Sequence, residues 1–375
     1  MHQLVAIHGP AGPRWVDELR RAWDEGDAVL PIDPRLPEPA KDRLVEAMAP
    51  AYAIVLGPRG EVEWDELRGG RPVEEGDALV MPTSGTTGEP KGVVLTHEAI
   101  AASADATTRR LGVDPTHHRW LACLPLSHVG GMSVVTRAVL TGTPLEVHPG
   151  FDPVAVTAAA RGGATHVSLV ATAMRRIDPT LWRCIVLGGA AAPPDRPDNV
   201  VVTYGLTETG SGVVYDGQPV DGVEVRSVSG RIEVRGPMLL RAYRDGTDPK
   251  SHDGWLATGD LGEVDPETGE VTIYGRAGDL IVTGGENVWP APVEDVLRSH
   301  PAVAEVAVVG RPDPEWGHRV VAVVVPAAGA APPTLASLRD HARRQLPAYA
   351  APRELVLADA LPRTSLGKVQ RHLLP

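Results

Sequence analysis

Shortages in this sequence remove several classes of protein. It has two cysteines in 375 residues, Cys123 and Cys184, and both sit in apolar runs, "LACLPL" and "RCIVLGG". Thiols so placed read as buried and reduced, which argues against a disulfide scaffold or a cysteine-built metal pair. There is no run of about 18 apolar residues, so no membrane span is expected. The N-terminus, "MHQLVAIHGPAG", lacks a basic segment leading into a long apolar one, so no secretory signal is read. Basic residues are the minority, 36 Lys and Arg against 48 Asp and Glu, for a formal charge of −12. That excess of acid argues against a nucleic-acid or anionic-membrane partner, yet it leaves room for a local basic pocket. No internal repeat or low-complexity tract is present, and a soluble cytoplasmic protein is the expectation.

What is there is a chain long enough for two or three domains, with 43% hydrophobic residues to build cores. Its 40 glycines and 36 prolines are dispersed, as turn punctuation between short elements. Residues 1–80 carry two helical patches, "WVDELRRAWDEG" and "KDRLVEAMAP", and a strand, "AYAIVLG". From Ala78 to about Val202 strands and helices alternate, which implies parallel βαβ units. "GGMSVVTRAVLTG" reads as a helix closed by Gly142, and "THVSLV", "RCIVLGG" and "NVVVTYG" read as strands. Short strands between Gly and Asp turns over about 213–274 suggest a small antiparallel β subdomain. After "YGRAGD" comes a unit of helix, two apolar strands, helix and strand. The expected fold class is therefore α/β: a large N-terminal domain, 1–275, of parallel βαβ sheets with the β subdomain, and a smaller α+β C-terminal domain, 276–375.

The segment "PTSGTTGEPKG", Pro82–Gly92, combines the ingredients of an anion-binding loop. Gly85, Gly88 and Gly92 let the backbone turn its N–H groups to a ligand. Thr83, Ser84, Thr86 and Thr87 add hydroxyl donors and Lys91 a positive charge. It is not a Walker A motif, because Lys91 is preceded by Pro90 and followed by Gly92. A Ser/Thr/Gly surface loop has the same composition. Further loops weigh on the choice. "TYGLTET" follows a buried strand, where open α/β sheets bind ligands. There Tyr204 could stack on a base, Thr207 donate to a phosphate and Glu208 hold Mg²⁺ through hard oxygens. In "GWLATGD", Asp260 could accept two ribose hydroxyls. "GRAGDLIVTGGENVWP" and "PRTSLGKVQR", with Lys368 near the chain end, complete the set.

Together "TSGTTGEPKG", "YGLTE", "TGD", "GR…GG" and the terminal "GK" resemble, in order and spacing, the core motifs of the adenylate-forming superfamily of acyl-CoA ligases, luciferases and peptide-synthetase adenylation domains. The resemblance covers roughly residues 78–375. It implies a two-step reaction with ATP, Mg²⁺ and CoA: a carboxylic acid forms an acyl-adenylate, and a thiol then displaces AMP. By the same resemblance Thr83, Ser84, Gly85, Thr86, Thr87, Gly88 and Lys91 hold the terminal phosphates. Gly188, Gly189 and Ala190 lie on one side of the adenine and Tyr204 with Gly205 on the other. Thr207 contacts the α-phosphate, Glu208 the metal, and Asp260 and Arg276 the ribose. Lys368 bridges the acid and the α-phosphate. The C-terminal domain is expected to be mobile and to bring Gly284, Gly285 and Glu286 toward a pantetheine tunnel. The usual acidic pivot position holds Gly278, with Asp279 next.

The region "LPLSHVGGMSVVTRAVLTGT" has no acidic residue to meet a substrate amine, which speaks against an amino acid. With "HVSLVATAM" and "YGLTETGSGVVYDGQPVDGVEVR" it is similar to the o-succinylbenzoate–CoA ligases of menaquinone synthesis, in particular the compact actinobacterial type. That resemblance implies an aromatic diacid, with His128, Gly130, Gly131, Ser133, Arg137, Ser168 and Thr172 as candidates for its pocket. Arg137 also reads as an ordinary helix-surface arginine and His128 as a structural histidine. A CoA ligase for another aryl or short-chain acid shares the same core motifs. The partners are small molecules, and a homo-oligomer stays open.

Overall fold

The apolar runs "LVAIH" and "AVLPI" form adjacent parallel strands, Leu4–His8 and Ala28–Ile32, with the second buried along its whole length. The computed structural model describes residues 2–59, 61–84, 90–189, 196–363 and 369–375, with Ser84 by its backbone only. The chain divides into two compact units. The first comprises Met1–Val225, Glu233–Thr258 and Asp265–Val271, and the second Arg226–Ile232, Gly259–Val264 and Thr272–Pro375.

Two seven-stranded sheets build the first unit. One runs in the order Ala242–Tyr243, Pro90–Thr96, Asp77–Ser84, Ala28–Ile32, Leu4–His8, Tyr52–Leu56, Val62–Glu66. Its four middle strands are parallel, and antiparallel strands close both edges. Helices Pro13–Asp24 and Glu38–Met48 fall where the apolar spacing puts them. The first buries Trp15, Val16, Leu19 and Ala22, and the second Leu44 and Met48. The strands Leu4–His8, Ala28–Ile32 and Val62–Glu66 have no counterpart in the sequence reading. The first two are short and covered on both faces, so they lack the alternation that marks a half-exposed strand.

The other sheet runs Gln218–Pro219, Gly212–Tyr215, Val200–Gly205, Cys184–Leu187, His166–Leu169, Trp120–Ala122, Leu145–Val147. Its last five strands are parallel. Helix Val129–Thr141 ends at Gly142, whose φ of 67° is the left-handed conformation that stops helices. The expected βαβ alternation is present. The strand partners differ from the expected β subdomain at 213–274: Gly212–Tyr215 and Gln218–Pro219 extend this second sheet, and Ala242–Tyr243 the first. The separate four-stranded sheet contains Glu224–Val228, Arg231–Arg235, Leu256–Val264 and Val271–Arg276. Turn residues announce short strands, but which sheet a strand joins is decided by pairing distant in sequence.

In the second unit, Val303–Asp313 and Gly317–Pro326 form a long hairpin, and Glu354–Leu357 adds in parallel. Helices Pro290–Arg298 and Leu335–Arg343 cover it, with Val293, Leu297, Leu338 and Ala342 in the core. The Thr334 hydroxyl accepts the Ser337 N–H at 3.1 Å and starts the second helix.

Candidate active site

The parallel strands of both sheets deliver the candidate residues at their C-terminal ends. Gly188 and Gly189 follow Cys184–Leu187, Thr207 and Glu208 follow Val200–Gly205, and Asp33 follows Ala28–Ile32. Two contacts bring these ends together within the first unit. His128 Nε2 lies 4.0 Å from Asp33 Oδ2, and Tyr243 of the first sheet donates to Glu208 Oε1 at 3.0 Å.

Lys91 opens the strand Pro90–Thr96, paired across from Thr83. The Thr83 hydroxyl donates to the Lys91 carbonyl at 3.4 Å, and the Lys91 ammonium stands over the Tyr243 ring, 5.0 Å from its centroid. Lys91, Tyr243 and Glu208 thus form one polar row, half-buried throughout. Burial first, then the charge of Glu208 and the hydrogen bond to it, push the Tyr243 phenol above its usual pKa, so it remains a donor. Gly92 proves to be a packing residue. A Cβ there would lie 2.5 Å from Met48 Sδ and 2.9 Å from Arg244 Cβ, and its carbonyl already accepts the Arg244 N–H. Gly205 is similar: a Cβ would meet the Ser211 carbonyl, at the irregularity between Tyr204 and Gly205.

Among the described residues no three His, Cys, Asp or Glu side chains cluster as metal ligands. A single carboxylate with one oxygen engaged by Tyr243 therefore fits Mg²⁺, which keeps its waters and is held by one or two carboxylates plus substrate phosphates.

The region read as the acid pocket is built on helix Val129–Thr141. His128 precedes it in extended conformation. Burial holds the His128 pKa down against the raising influence of Asp33, with Arg35 also lowering it. Burial alone would raise Asp33, but bidentate hydrogen bonds from Arg35, at 2.9 and 2.7 Å, bring its pKa below the usual value. Gly131 packs against backbone, since a Cβ would lie 2.4 Å from the Pro125 carbonyl oxygen, whereas Gly130 has ordinary room at 3.7 Å. Ser133 and Ser168 are buried. Arg137 is no surface residue: it is 2% exposed. Its Nη2 donates to Ser211 Oγ at 3.3 Å and its guanidinium lies 4.9 Å from the Trp120 ring centroid. Nε and Nη1 have no hydrogen-bond partner among the described residues, nor does the neighbouring Trp120 Nε1. Burial lowers the Arg137 pKa from its ordinary value.

In the second unit Asp260 and Arg276 are brought together, Nε to Oδ1 at 3.0 Å, with Asp260 buried and Arg276 exposed. Gly278 lies in the single turn Ala277–Asp279. Gly284, with φ of 60°, packs beneath Trp316, whose ring a Cβ would meet at 2.8 Å. Gly285 follows at φ 84°, and Glu286, itself exposed, begins the strand Glu286–Val288. Arg363 pairs with Val369 on either side of 364–368. Gly85, Thr86, Thr87, Gly88, Ala190 and Lys368, and the Ser84 side chain, lie outside the described residues.

Family models match almost the entire length: the AMP-binding enzyme model over residues 2–288, and the AMP-binding enzyme C-terminal domain over 292–368. The chain belongs to the AMP-binding enzyme family. A probable 2-succinylbenzoate–CoA ligase of Mycobacterium tuberculosis is 40% identical over 361 residues, spanning 90% of this chain and 93% of that protein. A 2-succinylbenzoate–CoA ligase of Bacillus cytotoxicus is 35% identical, spanning 79% of this chain and 69% of its own length. Among solved structures, o-succinylbenzoate CoA synthetase (MenE) of Bacillus subtilis in complex with the acyl-adenylate intermediate OSB-AMP has a TM-score of 0.86 at 28% identity, covering 99% of this chain and 87% of that one. ATP-bound MatB of Rhodopseudomonas palustris reaches 0.87 at 25% identity, covering 100% and 88%.

Membership of the AMP-binding enzyme family accounts for the order of the motifs. The sequence reading passed over four residues that touch candidates: Tyr243, Asp33, Trp120 and Ser211. Each touches a candidate residue 17 to 95 positions away. Tyr243 and Glu208, for instance, are 35 positions apart, and Arg137 and Ser211 are 74. No local pattern marks such contacts.

Proposed function

We propose that this chain is an AMP-forming o-succinylbenzoate–CoA ligase of menaquinone biosynthesis, working with ATP, Mg²⁺ and CoA in the cytoplasm. The observation that carries the choice of acid is Arg137. A buried guanidinium with two unpartnered nitrogens and no carboxylate beside it among the described residues is costly, unless an anion completes it. The second carboxylate of an aromatic diacid is such an anion. The names of the curated relatives support the same acid.

In this reading the reacting carboxylate attacks the α-phosphorus of ATP and pyrophosphate leaves. The thiol of CoA then attacks the acyl carbon and AMP leaves. Both partners of the first step are anionic, so positioned cations lower its barrier. Lys368 orients the carboxylate against the α-phosphate, Thr207 donates to that phosphate, and Lys91 with residues 83–88 steadies the departing pyrophosphate. Glu208 would hold Mg²⁺, which would supply charge neutralisation on the phosphates. Gly188, Gly189, Ala190, Tyr204 and Gly205 flank the adenine. Asp260, fixed by Arg276, accepts from the ribose. His128, Gly130, Gly131, Ser133 and Ser168 shape the acid pocket. Gly284, Gly285 and Glu286 serve the CoA step. The proposed domain division falls at 275/276, with Gly278 as pivot.

Acid-dependent pyrophosphate release tests this reading. The wild type is expected to prefer o-succinylbenzoate over benzoate and fatty acids in kcat/KM. Arg137→Leu is expected to lower kcat/KM for the diacid by on the order of 10²-fold, the loss of one charge-assisted contact. Benzoate turnover should be spared, because an apolar residue replacing an unpaired buried charge does not cost the fold. A wild type that prefers a simple aryl or short-chain acid by a wide margin overturns the choice of acid and favours a CoA ligase for that acid.

A further inference from the structure

Glu208 is read as the cation ligand, but a lone carboxylate on a single turn, Thr207–Thr209, has no fixed orientation of its own. Its environment provides one. The Tyr243 hydroxyl donates to Glu208 Oε1 at 3.0 Å, while the Lys91 ammonium faces the same ring. Tyr243 is itself strongly held. It pairs with Val93 in the first sheet, and its N–H donates to the Thr247 carbonyl at 2.8 Å. The next residue, Arg244, donates Nε to the Met48 carbonyl at 3.1 Å, Nη1 to that of Pro72 at 2.9 Å, and Nη2 to that of Arg71. Gly92 admits this close approach because it has no Cβ.

We propose that Tyr243 is a positioning residue for the metal-binding carboxylate: it engages Glu208 Oε1 and leaves Oε2 as the oxygen offered to Mg²⁺. The inference rests on the assignment of Glu208 as metal ligand made above. The chemistry favours a phenol in this role. A cationic donor would neutralise the carboxylate and weaken its hold on a dication, whereas a neutral hydroxyl fixes its direction and keeps its charge. A cation over the ring face is attracted to the π electrons and makes the phenol a stronger donor. Lys91 therefore acts on the carboxylate through Tyr243.

The experiment compares wild type, Tyr243→Phe, Glu208→Gln and the double variant. Manganese binding in the presence of ATP and without acid is read by electron paramagnetic resonance, and Mg²⁺ dependence by pyrophosphate release. Tyr243→Phe keeps the ring and its packing. It is expected to weaken manganese binding about 10-fold or more, the usual cost of losing a carboxylate's hydrogen-bond partner. The KM for the acid and the melting temperature should not move. In the Glu208→Gln background the same change is expected to cost nothing further, because its target is gone. Unchanged manganese binding in Tyr243→Phe, or an equal loss in both backgrounds, overturns the proposal. Manganese binding is measured without acid, so a wrong acid leaves this result intact. Glu208→Gln with wild-type manganese binding would instead remove the metal-ligand assignment on which the inference stands.

Discussion

His166 shows how one buried side chain ties stability to pH. It is fully buried, with Nδ1 2.9 Å from the Thr165 hydroxyl and Nε2 unpartnered among the described residues. Burial, followed by the charges of His118, Arg183 and Arg137, lowers its pKa from 6.5 to about 4. The unfolded chain therefore binds this proton more readily than the folded one. The stability from a neutral His166 is fully present above pH 6.5 and is lost as pH falls toward 4, on the order of 3 kcal/mol in all. Melting temperatures across that window should fall less steeply for His166→Gln than for wild type. An equal slope would show that the titration lies elsewhere. The same contrast between chemistry and context governs legibility. Lys91 and Glu208 stand out in sequence because their loops are rich in Gly and Thr. Tyr243 occupies a two-residue strand, and its meaning comes only from two partners supplied by other elements. Arg137 lies in an apolar helix where a charged residue reads as surface, until three-dimensional packing encloses it.

Helix Val129–Thr141 was readable from its apolar spacing and its closing glycine, and its start carries a sharper prediction. Gly131 faces the Pro125 carbonyl at a distance no Cβ tolerates, whereas Gly130 has open contact with Leu124. Gly131→Ala is expected to push the helix start off the Leu124–Pro125 segment, lower the melting temperature by several degrees and raise the KM for the acid. Gly130→Ala should leave the melting temperature within a degree or two, since Ala is the better helix former. Thermal melts and acid titrations of the two variants check the pair, and equal behaviour would refute the packing account. The short strands are the opposite case. Leu4–His8 and Ala28–Ile32 are apolar on both faces, so periodicity is silent about them. Their sheet is specified by parallel pairing with partners 24 to 50 positions away, as in Leu4 with Ala28 and Val29 with Leu79. That is a long-range property local patterns do not encode.

For the molecule as a whole, the second compact unit includes Thr272–Pro375. The second unit also takes Arg226–Ile232 and Gly259–Val264 from earlier in the chain. A linear reading cannot divide a chain that contributes to one unit in pieces.

Gly278 carries a consequence for anyone seeking a sturdier enzyme. Its φ lies outside the left-handed region, and a Cβ there would meet nothing within 4 Å. In this conformation the position has no need of glycine. Alanine would restrict the unfolded chain and should add about 0.4–1 kcal/mol of stability. If the residue is the pivot between half-reactions, Gly278→Ala should slow thioester formation more than adenylate formation while it raises the melting temperature. Screening by heat resistance alone would then enrich a variant that turns over more slowly, and the temperature scale would rank catalysts in the wrong order.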